Sequence, residues 1–226
     1  MAQGLHNYQK EQNPRMMKRL ILLLVILVSV QINAQSKAKA LLDQVSDTMK
    51  NYKTIYIEFS NSLDNKAEDI HQTTKGNASL QGEKYVVNLL GVTTIFDGNK
   101  MITINPEDEE VTISDVDEED DFSPAKFFTF YKEGYRYEMG KEIVKNGRKL
   151  QYVRLIPIDS NSDFSQVILI IDSKTKHIQE LIQKGKNGSD ITLKINKFKS
   201  NIELPSKLFS FDKKKYEDKG YLINEL

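Results

Sequence analysis

Carboxylates are the most concentrated chemically active groups in this sequence. Ten acidic side chains occupy the fifteen positions of residues 107–121. Hard cations such as Ca²⁺ prefer oxygen ligands, but the spacing matches no known calcium-binding loop, and no glycine stands where such a loop makes its turn. We therefore interpret the run as a solvated loop, and the sequence predicts neither a metal site nor a cofactor.

The residues that an enzyme would use as nucleophile or base form no recognisable pattern. The chain has no cysteine, and after residue 34 its only histidines are His71 and His177, far apart along the chain. Gly-x-Ser-x-Gly, His-Glu-x-x-His and phosphate-binding motifs are all absent from the sequence. We therefore predict a binding protein rather than an enzyme, with both histidines in surface or turn positions.

A run of aromatic side chains is the feature that most suggests a ligand. Phe127, Phe128, Phe130 and Tyr131 fill four of five consecutive positions, directly after Ser123-Pro124. Serine followed by proline is typical of the start of a helix. A helix this short and this aromatic must either be buried or contact an apolar ligand. The four aromatic residues are therefore candidates for contact with an apolar ligand.

The N-terminal residues have the layout of a secretory signal peptide. Arg15, Lys18 and Arg19 precede the apolar run 20–30, and Ala34 supplies a small residue for cleavage. The run is too short to span a bilayer, which needs about 20 apolar residues. We expect residues 1–34 to be removed and 35–226 to form one exported domain. That domain has no cysteine to carry a lipid anchor, so we expect it to be soluble.

The two halves of the expected mature chain differ in charge. Residues 35–131 carry 9 Lys+Arg against 18 Asp+Glu, whereas residues 132–226 carry 19 against 13. This balance does not favour nucleic acid, which selects strongly basic domains. The basic half could contact anionic lipid or an acidic partner, or it could be an ordinary solvated strand surface.

Hydrophobic periodicity predicts one helix followed by many strands. Apolar residues recur at steps of three and four over 36–52, which indicates an amphipathic helix. From Ile55 onward the period is two, with hairpin signals at Asp97-Gly98-Asn99 and Asn146-Gly147. About ten or eleven strands follow, in a sandwich or barrel whose simplest topology is an antiparallel meander. Phe209 and Phe211 are assigned to a last short strand, and residues 212–226 receive no assignment.

The order of these features resembles the LolA family of periplasmic carriers of outer-membrane lipoproteins. The resemblance covers nearly all of 35–226 and depends on the order of weak motifs. These are Leu41 to Tyr52, Phe59, Gly76, Tyr85, Asp97-Gly98-Asn99-Lys100, Asn105-Pro106, Pro124 to Phe130, Leu155-Ile156-Pro157, Ile178 and Phe209-Ser210-Phe211. It implies a mostly β fold with short helices: an unclosed antiparallel β-barrel, or half-barrel, of about ten or eleven strands with a helical lid.

The resemblance also implies a function and partners. A member of this family is a monomeric periplasmic carrier that binds the acyl chains of lipoproteins. It takes them from an inner-membrane ABC transporter and delivers them to an outer-membrane acceptor. Many members have an Arg-Pro pair that holds the lid shut, but the matching position here, around Gly82-Glu83, lacks it. The mode of gating is therefore not carried over.

Strand alternation identifies candidate lipid-facing side chains besides the aromatic run. The expected inward-facing residues are Ile57, Phe59, Val87, Leu89, Ile95, Ile102, Ile104, Leu155, Ile170, Ile191, Leu193 and Ile195. The same alternation fits an ordinary packed core equally well. Two other functions thus stay open: a β-rich interaction module with a filled core that binds protein or glycan, and a carrier of a glycolipid or phospholipid.

Overall fold

A computed structural model describes residues 36–116, Pro124 and residues 126–226. The predicted signal peptide, the acidic positions 117–121 and Ser123, the predicted helix cap, lie outside these residues. Twelve strands are formed within the described part of the chain. They are β1 (Thr54–Asn65), β2 (Ile70–Gln81), β3 (Lys84–Leu89), β4 (Val92–Phe96), β5 (Lys100–Asn105), β6 (Glu110–Asp115), β7 (Tyr135–Lys145), β8 (Arg148–Pro157), β9 (Phe164–Asp172), β10 (Ile178–Gly185), β11 (Ser189–Ser200) and β12 (Leu222–Glu225).

All twelve strands belong to one sheet in the order β12-β6-β5-β4-β3-β2-β1-β11-β10-β9-β8-β7. Strands β1 to β6 and β7 to β11 are two antiparallel meanders, and the pairing of β1 with β11 joins them. Strands β12 and β7 form the two edges, so the sheet is not closed into a barrel. The predicted unclosed β fold is therefore confirmed. The simple meander is wrong in one respect, because β12 pairs with β6 in parallel.

Helical structure is confined to short elements and to the N-terminal helix. Helix α1 occupies residues 36–50, close to its predicted span. The predicted helix near 124–132 is instead two 3-10 turns, Lys126–Phe128 and Phe130–Lys132. Helix α2 (Lys213–Glu217) lies between a third 3-10 turn and β12. None of the helices in the described ranges is long and apolar enough to cross a membrane.

The two hairpin turns expected from the sequence are present, and local chemistry explains each. The Asp97 carboxylate accepts hydrogen bonds from the backbone N–H groups of Asn99 at 2.8 Å and Lys100 at 2.9 Å. Asn146 and Gly147 both have positive φ, 52° and 74°, as a type I′ turn requires. Short-range signals of this kind act within a few residues, so they could be identified from the sequence.

The inner face of the sheet is the face that α1 covers. Ala38, Leu42 and Val45 of α1 pack with buried residues of β7 to β10, including Leu155 and Leu169. One turn further along α1, Met49 packs with the first three strands in a second cluster. The amphipathic pattern of α1 is thus explained by its contact with this face.

The outer face carries a third apolar cluster on β3 to β6. Val86 and Ile95 are buried there against Phe209 of the 3-10 turn Ser206–Phe209. Phe211, Tyr216 of α2 and Ile223 of β12 pack around the same cluster. The predicted strand at Phe209 and Phe211 is therefore wrong: this segment covers strands of the main sheet and does not extend it. Leu204-Pro205 precedes the turn, and proline cannot donate a ladder hydrogen bond there.

Candidate functional site

A cleft of about 470 Å³ opens at one end of the inner face. It lies between the C-terminal end of α1, the start of β1, the β2–β3 turn and the aromatic segment, which we define as residues 126–132. Clefts of roughly 300–1,000 Å³ are typical of small-ligand sites. The lining residues are Ser46, Met49, Lys50, Tyr52, Lys53, Ile55, Leu80, Gly82, Glu83, Lys126, Phe128 and Thr129.

The floor of the cleft is apolar and continues along the strands. Met49, Ile55 and Leu80 are buried in the second inner-face cluster. Phe59 belongs to the same cluster, and Leu193 packs against it from β11. An apolar surface thus runs from the cleft along β1 and its neighbours.

The rim of the cleft is charged. Among the residues that the structure describes, the charged side chains that line it are those of Lys50, Lys53, Lys126 and Glu83. The backbone N–H of Lys53 donates to the Asn201 side chain at 2.8 Å, which fixes this residue at the end of β11. Gly82 and Glu83 occupy the turn where the family resemblance places its Arg-Pro pair, so this turn borders the cleft without an arginine.

The aromatic segment is attached to α1 by a partly buried polar contact. Tyr131 is 2% exposed, and its hydroxyl donates to the Asp43 carboxylate at 3.1 Å. Burial and the negative charge of Asp43 raise the pKa of Tyr131 to about 12, so the phenol keeps its proton near neutral pH. Lys39 donates to Asp43 at 2.7 Å, and this bond lowers the pKa of the carboxyl. The Tyr137 hydroxyl donates to the Tyr131 carbonyl at 2.7 Å.

The phenylalanines of this segment are less buried than Tyr131. Phe127 and Phe128 meet edge to face with ring centroids 5.2 Å apart, and Phe130 meets Tyr135 in the same way at 5.8 Å. All three phenylalanines are half-buried. Phe128 packs against both inner-face clusters and also lines the cleft. Movement of this ring would therefore change the space between the clusters.

The opposite side of the cleft is held by an aromatic and histidine cluster. The Tyr52 hydroxyl is hydrogen-bonded to Nε2 of His177 at 2.9 Å. The His177 ring lies 4.0 Å from the ring of Phe198, centroid to centroid. Burial lowers the pKa of His177, Asp172 opposes that effect and Arg148 adds to it. A neutral His177 thus joins the end of α1 to β10 and β11.

Eleven of the sixteen predicted lipid-facing residues belong to or pack against the inner-face clusters. Phe127, Phe130, Tyr131 and Leu155 belong to or pack against the first cluster, under α1. Phe128 contacts both inner-face clusters. The residues that belong to or pack against the second cluster are Ile57, Phe59, Val87, Leu89, Leu193 and Ile195. The predicted Ile191 of β11 is 38% exposed and is not among the residues of either cluster. Leu155 is fully buried, so it is separated from the open cleft.

Four other predicted residues are not brought to this site. Ile95, Ile102 and Ile104 lie on the outer face, under Phe209. Ile170 also points to the outer face, because its neighbours in β9, Leu169 and Ile171, point to the inner face. Its partners on the adjacent strands are Tyr152 and Glu180. The expected single inward-facing set is thus divided between two faces. Alternation indicates which residues share a face, but it does not indicate which face lines a cavity.

Sequence reasoning missed most of the residues around the cleft. Met49 and Tyr52 were recognised as part of an amphipathic helix, but nothing local showed that its end borders an opening. Lys50, Lys53 and Lys126 gave no signal, because isolated lysines are common on any surface. Leu80 gives no signal beyond its place in an apolar strand position. These residues meet only because four distant chain segments converge.

The remaining chemically active residues form no further site of the expected kinds. His71 Nδ1 is hydrogen-bonded to the Asp64 carboxylate at 2.8 Å across the β1–β2 hairpin, in an exposed position. Within the ranges that the structure describes, no three His, Cys, Asp or Glu side chains are grouped as a metal site requires.

Comparisons with known proteins agree on one family. The family model described as "Outer membrane lipoprotein carrier protein LolA" matches residues 90–212. An outer-membrane lipoprotein carrier protein of Legionella pneumophila (strain Lens) is 24% identical over 205 residues, which are 89% of this chain and 98% of that protein.

Two solved structures are also similar. An uncharacterized conserved protein from Thermus thermophilus has a TM-score of 0.51 at 12% identity, over 84% of this chain and 99% of that chain. A LolA superfamily protein from Nitrosomonas europaea has a TM-score of 0.40 at 10% identity, over 77% of this chain and 98% of that chain. At such identity the Thermus structure supports the fold and nothing finer.

Proposed function

This chain belongs to the LolA family of outer membrane lipoprotein carrier proteins, and on that premise we propose that it carries lipoproteins across the periplasm. In this proposal the acyl chains of a lipoprotein occupy the inner-face cleft. The observation that carries the proposal is the unfilled cleft of about 470 Å³, whose apolar floor continues along β1 to β3. The protein acts as a binding protein and performs no catalysis.

Acyl chains suit this site energetically. Each methylene that leaves water for an apolar surface gains about 0.8 kcal/mol. A long acyl chain therefore supplies more than about 10 kcal/mol before the costs of association and ordering are subtracted. The lipid contacts that we propose are those of Phe59, Val87, Leu89, Leu193 and Phe128. Ile95, Ile102, Ile104 and Ile170 are left out, because they lie on the outer face.

The aromatic segment is the proposed lid. Tyr131 anchors it to α1 through Asp43, and Phe128 lies between the two inner-face clusters. If Phe128 turned away, the space under α1 would join the space over β1 to β3. A carrier must release its load, and a small moving element on a fixed anchor permits release. By family analogy the cargo comes from an inner-membrane ABC transporter and goes to an outer-membrane acceptor.

Native mass spectrometry of the purified protein tests the proposal directly. We expect added mass that corresponds to one acylated peptide when a peptide with a palmitoylated N-terminal cysteine is supplied. The same peptide without its acyl chain should give no added mass. A protein that rejects both peptides would contradict lipid carriage and would favour an interaction module with a filled core.

Depletion of the protein in its host separates lipoprotein carriage from carriage of another lipid. We expect outer-membrane lipoproteins to accumulate in the inner membrane, as membrane fractionation would detect. Normal lipoprotein sorting together with altered outer-membrane phospholipid or glycolipid would contradict the proposed cargo.

A further inference from the structure

One hydroxyl group beside the cleft lacks a partner. The cleft is lined by three residues that bear hydroxyls, Ser46, Tyr52 and Thr129. The Tyr52 hydroxyl is bonded to His177, and Oγ1 of Thr129 donates to a backbone carbonyl at 3.3 Å. Ser46 is 2% exposed, yet its Oγ makes no hydrogen bond to any residue that the structure describes. Because buried hydroxyls are almost always hydrogen-bonded, this exception calls for an explanation.

The helix itself does not satisfy the Ser46 hydroxyl. A serine or threonine within a helix can donate to the carbonyl four residues earlier. Thr48 does so on the same helix, with its Oγ1 2.7 Å from the Gln44 carbonyl oxygen, whereas Ser46 does not. Burial and Asp43 raise the pKa of Tyr131, and the nearby Ser46 hydroxyl opposes this shift. No hydrogen bond of ordinary geometry joins the two hydroxyls, however.

Ser46 lies between the apolar floor of the cleft and the anchor of the aromatic segment. It is three residues before Met49, which is buried on the floor, and three residues after Asp43, which accepts from Tyr131. Residues three apart lie on the same side of a helix. Because the Ser46 oxygen is buried near the Tyr131 hydroxyl, a ligand reaches it when the aromatic segment moves aside.

We propose that the Ser46 hydroxyl donates a hydrogen bond to the carbonyl oxygen of a lipid acyl ester held in the cleft. The inference rests on the proposed function, because it needs an acyl chain on the apolar floor. An ester carbonyl that enters the cleft gives up its hydrogen bonds to water, and a buried acceptor without a partner is costly. Ser46 is a donor already removed from water, so one bond satisfies both groups. The bond selects acyl esters over plain hydrocarbon and fixes the depth of the chain.

Two matched lipopeptides test this proposal. In both, the sulfur of an N-terminal cysteine carries a propyl linker, which ends in a palmitoyl ester in one peptide and in a hexadecyl ether in the other. The two chains have the same length, and only the ester has a carbonyl oxygen. Their affinities for the purified protein are measured by displacement of a fluorescent fatty acid and are expressed as the ratio of ester to ether.

Two variants of α1 locate the donor. Ser46→Ala should lower the ester-to-ether ratio by about 3- to 10-fold, as expected for the loss of one hydrogen bond, because only the ester loses a partner. Thr48→Val removes a hydroxyl that already has a partner within the helix, so it should preserve the ratio. A ratio that is unchanged in Ser46→Ala, or that both variants lower equally, would overturn the proposal.

Two further measurements distinguish a ligand contact from a structural role. In urea unfolding without ligand, Ser46→Ala should be no less stable than the wild type, because the lost hydroxyl has no partner. A clear loss of stability would show that the hydroxyl bonds within the protein, against the proposal. In infrared spectra of the ester peptide, isotope-labelled at its carbonyl carbon, the carbonyl stretch should lie at lower frequency on the wild type than on Ser46→Ala. Equal frequencies would contradict the bond.

The remaining outcomes separate this inference from the proposed function. If both peptides bind with a ratio that Ser46→Ala does not change, the Ser46 proposal fails and lipoprotein carriage stands. If neither peptide binds, but lysophosphatidylcholine binds more tightly than its ether analogue in a manner that requires Ser46, the Ser46 proposal stands and lipoprotein carriage fails. Rejection of all four lipids would overturn both.

Discussion

Individual side chains set the spacing of the inner face, and Gly76 is the clearest case. It pairs directly with Phe59 across β1 and β2. A Cβ atom on Gly76 would lie 2.6 Å from Cζ of Phe59 and 2.6 Å from the carbonyl oxygen of Asn88. Glycine within a strand often marks a place where another group approaches closely. Here the missing side chain makes room for the ring of Phe59 in the apolar cluster that continues from the cleft along β1.

Replacing Gly76 by alanine should therefore destabilise the protein. Overpacking of this kind costs about 1–3 kcal/mol, and urea unfolding would measure it. Combining Gly76→Ala with Phe59→Leu should cost less than the sum of the two single changes, because the smaller side chain removes one of the two clashes. Strict additivity of the two changes would show that the ring does not restrict this position.

His177 should make stability depend on pH in a defined direction. Burial lowers its pKa in the folded protein below the ordinary value of about 6.5, so the unfolded chain binds its proton more readily. The free energy of unfolding should therefore be fully retained above about pH 6.5 and should fall as the pH drops through the folded-state pKa. Asp172, Arg148 and the Tyr52 hydroxyl are the groups that face the ring.

Denaturation curves at pH 7 and pH 5 would check this prediction. His177→Gln should reduce the loss of stability between the two values. His71→Gln, at an exposed position, should leave the loss close to that of the wild type. The prediction would be wrong if the two variants had the same pH dependence.

At the scale of elements, the aromatic segment and α1 act as one cover of the inner face. The 3-10 turns of the segment are too short to hold their own conformation. Their position comes from the bond between Tyr131 and Asp43 and from ring contacts with Tyr135 and the neighbouring phenylalanines. An element held by one partly buried hydrogen bond and several half-buried rings can move at a low energetic cost.

Aspartate at both Phe128 and Phe130 should prevent acyl binding while the fold is retained. A carboxylate near an acyl chain would lose its hydration without a partner, which costs several kcal/mol. We therefore expect the affinity for a fluorescent fatty acid to fall at least about 10-fold, because each loss of about 1.4 kcal/mol in binding free energy weakens the affinity by a factor of about ten. Circular dichroism would confirm the fold.

The matched control introduces aspartate at Leu90 and Val144, which are apolar but 70% and 69% exposed. This variant should bind the fatty acid like the wild type. Unchanged binding in the Phe128 and Phe130 variant would contradict the role of the segment as a lid.

At the scale of the whole molecule, the sheet is apolar on both faces but uses them differently. The inner face is covered by α1 and the aromatic segment, with the cleft left between them. In the middle of β4 to β6 the inner face is polar, with Thr94, Thr103 and Thr112 side by side, whereas Phe96 of β4 still packs against the second inner-face cluster. Ile95, Ile102, Ile104 and Val111 point outward, and the C-terminal segment, residues 204–226, covers them. The inner face is thus the one that we propose to bind the ligand, whereas the outer face is covered by the chain itself.

Removal of residues 204–226 should expose the outer-face cluster. Val86, Ile95, Ile102 and Val111 would then form a contiguous apolar surface, and such surfaces cause association. Size-exclusion chromatography should show oligomers or aggregates. Deletion of Leu226, which is 80% exposed, should leave the elution volume unchanged. A truncated protein that elutes like the full chain would contradict the role of the segment as a cover.

The sequence by itself determined the local structure: the amphipathic helix, almost every strand, and the hairpins at Asp97 and Asn146. These features depend on contacts within a few residues, so periodicity and turn chemistry reveal them. Together with the order of the motifs they also indicated the family.

Only the tertiary structure decided which face each strand turns toward the cleft. Alternation with a period of two is the same for either face, so Ile95, Ile102, Ile104 and Ile170 could not be separated from Phe59 or Val87. The C-terminal cover and the cleft were equally hidden, because both depend on segments that are far apart along the chain. Contacts of that range leave no pattern in any short stretch of sequence.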